Sequence, residues 1–192
     1  MLSVALRHNA LSRAWQPRGQ ACVILRTERL VLRPPRQDDL EALHHIFSNS
    51  DAMRYWSHLA HDTLARTQQT LDGMIASNRE TGLEFVIEFD GKVIGKAGIW
   101  RLAELGYILH PKYWGQGIAR ESLAAILGAT WDVHPTVRDI TAEIDPRNMA
   151  SARLLTHFGF RLTHSAPATI QINGEWCDSD YYALERSRKD NP

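Results

Sequence analysis

Alternation of apolar and polar positions marks out the strands of this chain, and three-to-four-residue spacing marks out its helices. Arg29-Leu30-Val31-Leu32-Arg33 reads as a strand stopped by Pro34-Pro35. Asp38 and Asp39 follow, where the first turn of a helix favours negative charge, and Leu40, Leu43 and Phe47 continue at helical spacing. A second helix is predicted from about Thr63 to Arg79, with Leu64, Leu71, Met74 and Ile75 inward and Gly82 just past its end. Glu84 to Phe89 reads as a strand with Phe85, Ile87 and Phe89 on one face, and Asp90-Gly91 signals a type I′ hairpin into Val93–Trp100. A further strand covers Glu104 to His110, closed by Pro111. After Gly115-Gln116-Gly117 comes a helix with Ala119, Leu123, Ile126, Leu127 and Thr130 on one side. Ile140, Ala142 and Ile144 alternate in another strand. Asn148 to Phe158 predicts a short helix ended by Gly159. Asn173-Gly174 then turns a last hairpin with arms of about 161–172 and 175–184.

The order is therefore βααβββαβαββ, an antiparallel meander followed by alternating strands and helices. It predicts a mixed α/β domain with helices packed on a sheet. The length of 192 residues fits one domain, expected over 27–186. Residues 1–26 are expected to be a basic extension: Arg7, Arg13, Arg18 and Arg26 occur with no acidic residue before Glu28. Such a segment reads either as a targeting sequence or as a passive extension. A polar tail of 187–192 follows the domain.

Lys plus Arg equals Asp plus Glu at 22 each, so no basic excess argues for nucleic acid as a partner. No run of eighteen apolar residues argues for a membrane span. Cys22 and Cys177 are too few for a disulfide scaffold and are expected as free thiols in a reducing cytosol. The nine His residues show no zinc-type spacing with Cys or carboxylate, so no metal is expected.

The segment richest in chemistry is Tyr107-Ile108-Leu109-His110-Pro111-Lys112-Tyr113-Trp114-Gly115-Gln116-Gly117-Ile118-Ala119-Arg120. A strand leads into a Gly-rich turn, and the turn opens a helix. The first amides of a helix lack internal partners and carry partial positive charge. With glycines that admit close approach, they form a cradle for phosphate oxygens. GxxxxGK[ST] is absent, and Arg120 stands where a dinucleotide fingerprint needs its third glycine. The same glycines also fit a plain strand–helix connector.

Together with this loop, the second half of the chain resembles the GNAT superfamily of acyl-CoA-dependent N-acetyltransferases. Trp114-Gly115-Gln116-Gly117-Ile118-Ala119 is similar to the family's [Q/R]-x-x-G-x-[G/A] loop, with Trp in the first place, a form like that of the ribosomal-protein N-terminal acetyltransferases. Leu30-Val31-Leu32-Arg33, Glu104-Leu105-Gly106-Tyr107, Asn148-Met149-Ala150-Ser151-Ala152, Phe158-Gly159-Phe160 and Asn173-Gly174-Glu175-Trp176 complete the set in order.

The resemblance implies a mostly antiparallel central sheet, flanked by helices, with a V-shaped splay between strands 104–110 and 139–145. It implies acetyl-CoA as cosubstrate. The pantetheine arm is expected in the splay against the backbone of Tyr107, Ile108 and Leu109. The pyrophosphate is expected on the amides of Gly115, Gln116, Gly117, Ile118, Ala119 and Arg120, and the acetyl carbonyl against an N–H near Leu109.

An amine acceptor, a protein N-terminus or a small molecule, must lose a proton to a base. Glu143 is one candidate, five residues before Asn148 and turned away from the core by alternation. Glu104, at the start of the central strand, is the other; each also fits an exposed strand residue. Asn148, Ser151, Ala152 and Leu155 share a helix face. Asn148 is expected to hydrogen-bond the pantetheine arm, and equally fits a helix N-cap. Family members often carry a Tyr acid at the place of Leu155, so Ser151 becomes the candidate donor to the thiolate, with water as its competitor. Met53 to His58 is expected to border the acceptor pocket. A non-catalytic acyl-CoA-binding module is the alternative function, and both monomer and homodimer fit.

Overall fold

Turn chemistry and a single crossover helix set the order of the strands. The computed structural model describes residues 23–186. Eight strands form one sheet in the order β1-β2-β3-β4-β5-β6-β8-β7. They are β1 Leu25–Arg26, β2 Leu30–Arg33, β3 Glu84–Phe89, β4 Lys92–Arg101, β5 Glu104–Leu109, β6 Asp139–Ile144, β7 Arg161–Ile172 and β8 Glu175–Glu185. The helices are α1 Leu40–Phe47, α2 Leu64–Thr81, α3 Ile118–Val133 and α4 Met149–His157. Asp90 and Gly91 have φ of 50° and 71°, and Asn173 and Gly174 50° and 83°, so both predicted two-residue turns take the twist that antiparallel strands require. Only β5 and β6 run parallel, which demands the long connection that α3 supplies.

Alternation along the strands divides the interior in two. Phe85, Ile87, Ala97, Ile99, Leu105 and Leu109 face Ile118, Leu123, Ile126 and Leu155 of α3 and α4. On the opposite face, Val86 and Ile108 pack with Leu43, Ile46 and Phe47 of α1 and Leu71 and Met74 of α2. Among the described residues no helix is long and apolar enough to cross a membrane.

Two features depart from the sequence reading. The sheet begins before residue 27: Leu25 and Arg26 pair with Leu32 and Val31, and Leu25 is buried in the core. Residues 1–22, with Cys22, and 187–192 lie outside the described residues. Leu64, expected inward, is exposed, because it opens α2 one turn before the helix meets the sheet; Thr67, Leu71 and Met74 carry the buried line. Asp39 does serve the first turn, where its carboxylate accepts from the Arg36 amide at 2.7 Å, and it is also buried. The Arg33 guanidinium is buried on β2 and donates to both Asp39 oxygens, at 2.9 and 2.6 Å, and to Glu88 at 2.7 Å. A buried cation needs that compensation.

The loop 48–63 is held to the helices through Thr67, whose hydroxyl meets His44 Nδ1 at 2.8 Å and His61 Nδ1 at 2.9 Å. His61 stacks on His58, and its Nε2 is buried without a partner. Burial, followed by the charges of neighbouring groups, lowers its pKa to about 4. The unfolded chain therefore binds a proton that the folded chain refuses between its ordinary value of about 6.5 and about 4, and stability falls as pH drops through that window. In urea unfolding as a function of pH, His61→Gln is expected to flatten this acid-side loss by about 3 kcal/mol.

Candidate active site

Hydrogen-bond parity along β5 decides what this strand offers to a ligand. The amide of His110 donates to the carbonyl of Ile94 at 2.9 Å, and the β4–β5 register continues from that pair without a shift to Ile99↔Leu105. In an antiparallel ladder the main-chain groups alternate in direction. Those of Gly106 and Ile108 therefore turn to β4, and those of Leu105, Tyr107 and Leu109 turn the other way, toward β6. There the pairing is confined to Glu104↔Thr141, with the Thr141 amide on the Ala103 carbonyl at 3.0 Å. Past that point the two parallel strands diverge. The N–H and C=O of Tyr107 and the N–H of Leu109 border the gap, while the Leu109 carbonyl accepts the Trp114 indole N–H at 3.0 Å. Ile108 leaves the expected set: its main-chain groups belong to β4, and its side chain is core.

At the end of β5 a 3₁₀ turn, Pro111–Tyr113, leads through Trp114 to the glycine loop. Gly115 and Gly117 adopt φ of 71° and 77°, and Gly117 is the N-cap of α3 with no side-chain cap. The amides of Ile118, Ala119 and Arg120 precede the first intrahelical bond, from Glu121 N to the Gly117 carbonyl. Ile118 anchors this turn by burying its side chain, and Arg120 is exposed. The loop is braced from behind. Gln116 donates to the Lys112 carbonyl at 2.8 Å. Arg29 donates to the Gln116 carbonyl at 3.1 Å and to Glu121 at 2.7 Å. Burial alone would raise the Glu121 carboxyl, but bonds from Thr27 and Arg29 hold it below its usual range. The carbonyl of Gln116 is thus turned away, and the outward groups of the loop are donors.

Between the α1/α2 side, the sheet and the β7–β8 hairpin lies an open cleft of about 810 Å³. Glu104, Tyr107, Glu143, Asn148 and Ser151 all border it. Glu143 is exposed on β6, and one of its oxygens accepts from Ser179 at 2.6 Å and from Tyr181 at 3.3 Å. Its second oxygen carries no protein bond among the described residues. Glu104 is differently placed: Arg101 donates to it at 3.1 and 2.5 Å and Trp100 at 3.2 Å, so both oxygens are engaged. The two candidates thus stand in different surroundings, Glu104 held by two donors and Glu143 with one oxygen open.

Asn148 caps α4 by accepting from the Ser151 amide at 3.1 Å, which leaves its NH₂ group for other partners. Ser151 lies beside the Tyr107 hydroxyl, which is buried and without a well-formed hydrogen bond; burial pushes this phenol up to about 12, and only Ser151 opposes the shift. Leu155 is fully buried in the core, so no acid acts from that position. Sequence reasoning missed Arg29, Arg101, Ser179 and Tyr181. The alternating hydroxyls of β8 were the available signal for the last two.

A splayed parallel pair beside a donor-rich glycine turn is the architecture of an acyl-CoA-dependent acetyltransferase. Residues 29–161 match the acetyltransferase (GNAT) domain, and the chain belongs to that family. It is an acetyl-CoA-dependent N-acetyltransferase of mixed α/β GNAT fold. The uncharacterized N-acetyltransferase YoaA of Bacillus subtilis is 29% identical over 175 residues, covering 86% of this chain and 98% of the relative. Spermidine N(1)-acetyltransferase of Escherichia coli is 25% identical over 154 residues, covering 76% and 80%. In fold, the chain is similar to a solved acetyltransferase of Salmonella typhimurium that modifies the N-terminal serine of ribosomal protein L7/L12, with a TM-score of 0.72, 22% identity and coverage of 84% and 97%.

Two glycines, one capping α3 and one within it, are expected to respond in opposite senses. Gly117→Val forces a β-branched residue to positive φ. It is expected to weaken acetyl-CoA binding at least ten-fold by calorimetry, besides lowering stability. At Gly128 the space a Cβ would occupy is open, with nothing within 4 Å. Gly128→Ala is expected to gain about 0.5–1 kcal/mol in stability with binding unchanged.

Proposed function

We propose that the chain moves an acetyl group from acetyl-CoA directly to an amine, a protein N-terminal α-amine or a small-molecule amine, while both are bound. The observation that carries this reading is the main-chain edge of Tyr107 and the Leu109 N–H, left unpaired by β6, next to a glycine turn whose outward groups are donors. A pantetheine arm is rich in amides and suits such an edge as an added strand does. The amides from Gly115 to Arg120 suit the pyrophosphate, and the NH₂ of Asn148 suits a pantetheine carbonyl.

The thioester supplies an activated acetyl carbonyl; the residues of the chain orient it and manage two protons. The Leu109 N–H is the donor that steadies the developing negative charge on that carbonyl oxygen, a role worth about 3–4 kcal/mol. The amine lone pair forms the new C–N bond as the C–S bond breaks. Glu143 takes the amine proton through water on its uncommitted oxygen, and Ser179 and Tyr181 hold the carboxylate in place. Ser151 is the donor toward the departing thiolate, with its hydroxyl beside that of Tyr107. Glu104, locked to Arg101 and Trp100, shapes the cleft.

In a thiol-release assay, Glu143→Gln is expected to lower kcat by roughly 10²- to 10³-fold at neutral pH. The KM for acetyl-CoA should stay within two-fold, and the deficit should shrink as rising pH frees the amine. Glu104→Gln is expected to lose less than five-fold. Equal losses in the two variants, or full activity in Glu143→Gln, would remove Glu143 from the base role.

A further inference from the structure

Two hydroxyls meet on the α4 side of the gap, and the protein satisfies neither. Tyr107 turns its free main-chain groups to the gap and its side chain to the α3/α4 layer, where it joins the cluster of Leu105, Leu109 and Leu155. Its hydroxyl oxygen is buried and makes no well-formed hydrogen bond. A buried tyrosine hydroxyl normally finds a partner, and an orphaned one is costly. A phenylalanine would fill the same space without that penalty. The polar side chain that acts on the phenol is Ser151.

Ser151 is unusual in the same way. Ser122, Thr130 and Thr156 each turn their hydroxyl back onto the carbonyl four residues earlier, at 2.9, 2.8 and 2.8 Å. For Ser151 that carbonyl belongs to Arg147, ahead of the Asn148 cap, and it accepts from the Met149 amide at 2.9 Å. The Ser151 amide is held by Asn148, so the cap fixes the main chain and leaves the hydroxyl free to turn. Among the described residues the Tyr107 phenol is the polar group that this hydroxyl meets. Each hydroxyl has one proton to give. Were Ser151 to donate to Tyr107, the phenol proton would stay buried with no acceptor. When Tyr107 donates, its proton is satisfied and that of Ser151 is released to the cleft, which Ser151 borders. Burial pushes the phenol up to about 12, so around neutral pH it gives a hydrogen bond and keeps its proton.

We propose that Tyr107 is a positioning residue for the leaving group: its hydroxyl donates to Ser151 Oγ and turns the Ser151 O–H onto the sulfur of CoA. Two hydroxyls in series polarise one another, which strengthens the bond to a developing negative charge. The sulfur takes the electron pair of the breaking C–S bond, and the charge is held by that hydrogen bond until water protonates it. No proton leaves either hydroxyl, and no charge falls on the buried ring. The oxygen of Tyr107 is buried, so it reaches the gap only through Ser151. This inference rests on the reading that Ser151 faces the sulfur.

The test reads the bound thiol directly and needs no acceptor. CoA is bound to the full chain, and its thiol is titrated through the ultraviolet absorbance of the thiolate, as the difference between loaded and free protein. The unmodified chain is compared with Tyr107→Phe, Ser151→Ala and the double variant. Hydrogen bonds donated to a thiolate favour the charged form. Ser151→Ala is expected to reduce the ionisation constant of the bound thiol at least about five-fold and Tyr107→Phe at least about three-fold, with the double variant no lower than Ser151→Ala. CoA affinity, measured by calorimetry where the thiol is neutral, should change less than about two-fold in each. The Tm of free Tyr107→Phe should not fall, because the hydroxyl it loses has no partner there; a tyrosine kept for a structural bond would give the reverse and overturn the proposal. Thiol ionisation unchanged in Tyr107→Phe but shifted in Ser151→Ala overturns the proposal and leaves Ser151 in its role. A loss from Tyr107→Phe that persists in full on the Ser151→Ala background also overturns it, since the phenol then acts without Ser151. If Ser151→Ala itself leaves the ionisation unchanged, the reading of Ser151 falls and this inference falls with it.

Discussion

Strand β5 is hydrogen-bonded along its length to β4 and at a single position to β6, and the chemistry of the site follows from that asymmetry. Two parallel strands that separate after one bridge leave a row of main-chain donors and acceptors inside the protein instead of at its rim. Such groups are costly to bury unpaired, so the gap is stable only where a polar ligand or water can enter. Part of the row is satisfied internally, by the Trp114 indole on the Leu109 carbonyl. That bond ties the glycine turn to the strand and leaves the Leu109 N–H as the last free donor of the edge. One indole therefore sets the relation between the place where a phosphate can sit and the place where a carbonyl can be polarised.

The surroundings of the gap are electrically unlike on its two sides. The glycine turn presents amides, with Arg120 nearby and the Gln116 carbonyl pulled back by Arg29. The opposite side presents carboxylates, and Glu143 among them is exposed, with one oxygen held by Ser179 and Tyr181. One cleft thereby carries unlike charge at its two ends, a division by which charge alone can sort ligands. The ion pair of Arg101 with Glu104 stands on the same side and engages a second carboxylate.

Much of the fold was legible in the chain because its signals are local. Asp90-Gly91 and Asn173-Gly174 specify their hairpins within two residues, and Gly82 and Gly159 end their helices at positive φ. The glycine turn and the Asn148 cap are local in the same way. The errors arose where distant segments meet. β1 is two residues long, too short for periodicity, and owes its place to pairing with β2. Ile108 and Leu109 are equivalent by composition, and only the β4–β5 register assigns their amides to opposite sides. Glu104 and Glu143 were indistinguishable until Arg101, Trp100, Ser179 and Tyr181 were placed around them, and the β6–β8 register that brings the last two together spans almost forty residues.

Residue-resolved amide exchange by NMR, with and without acetyl-CoA, tests the parity of β5 most directly. The account predicts that the Ile108 amide exchanges slowly in both states, while those of Tyr107 and Leu109 exchange readily in the free protein and become protected when acetyl-CoA is bound. Protection of Tyr107 and Leu109 already in the free protein, or no change at either on binding, would contradict it.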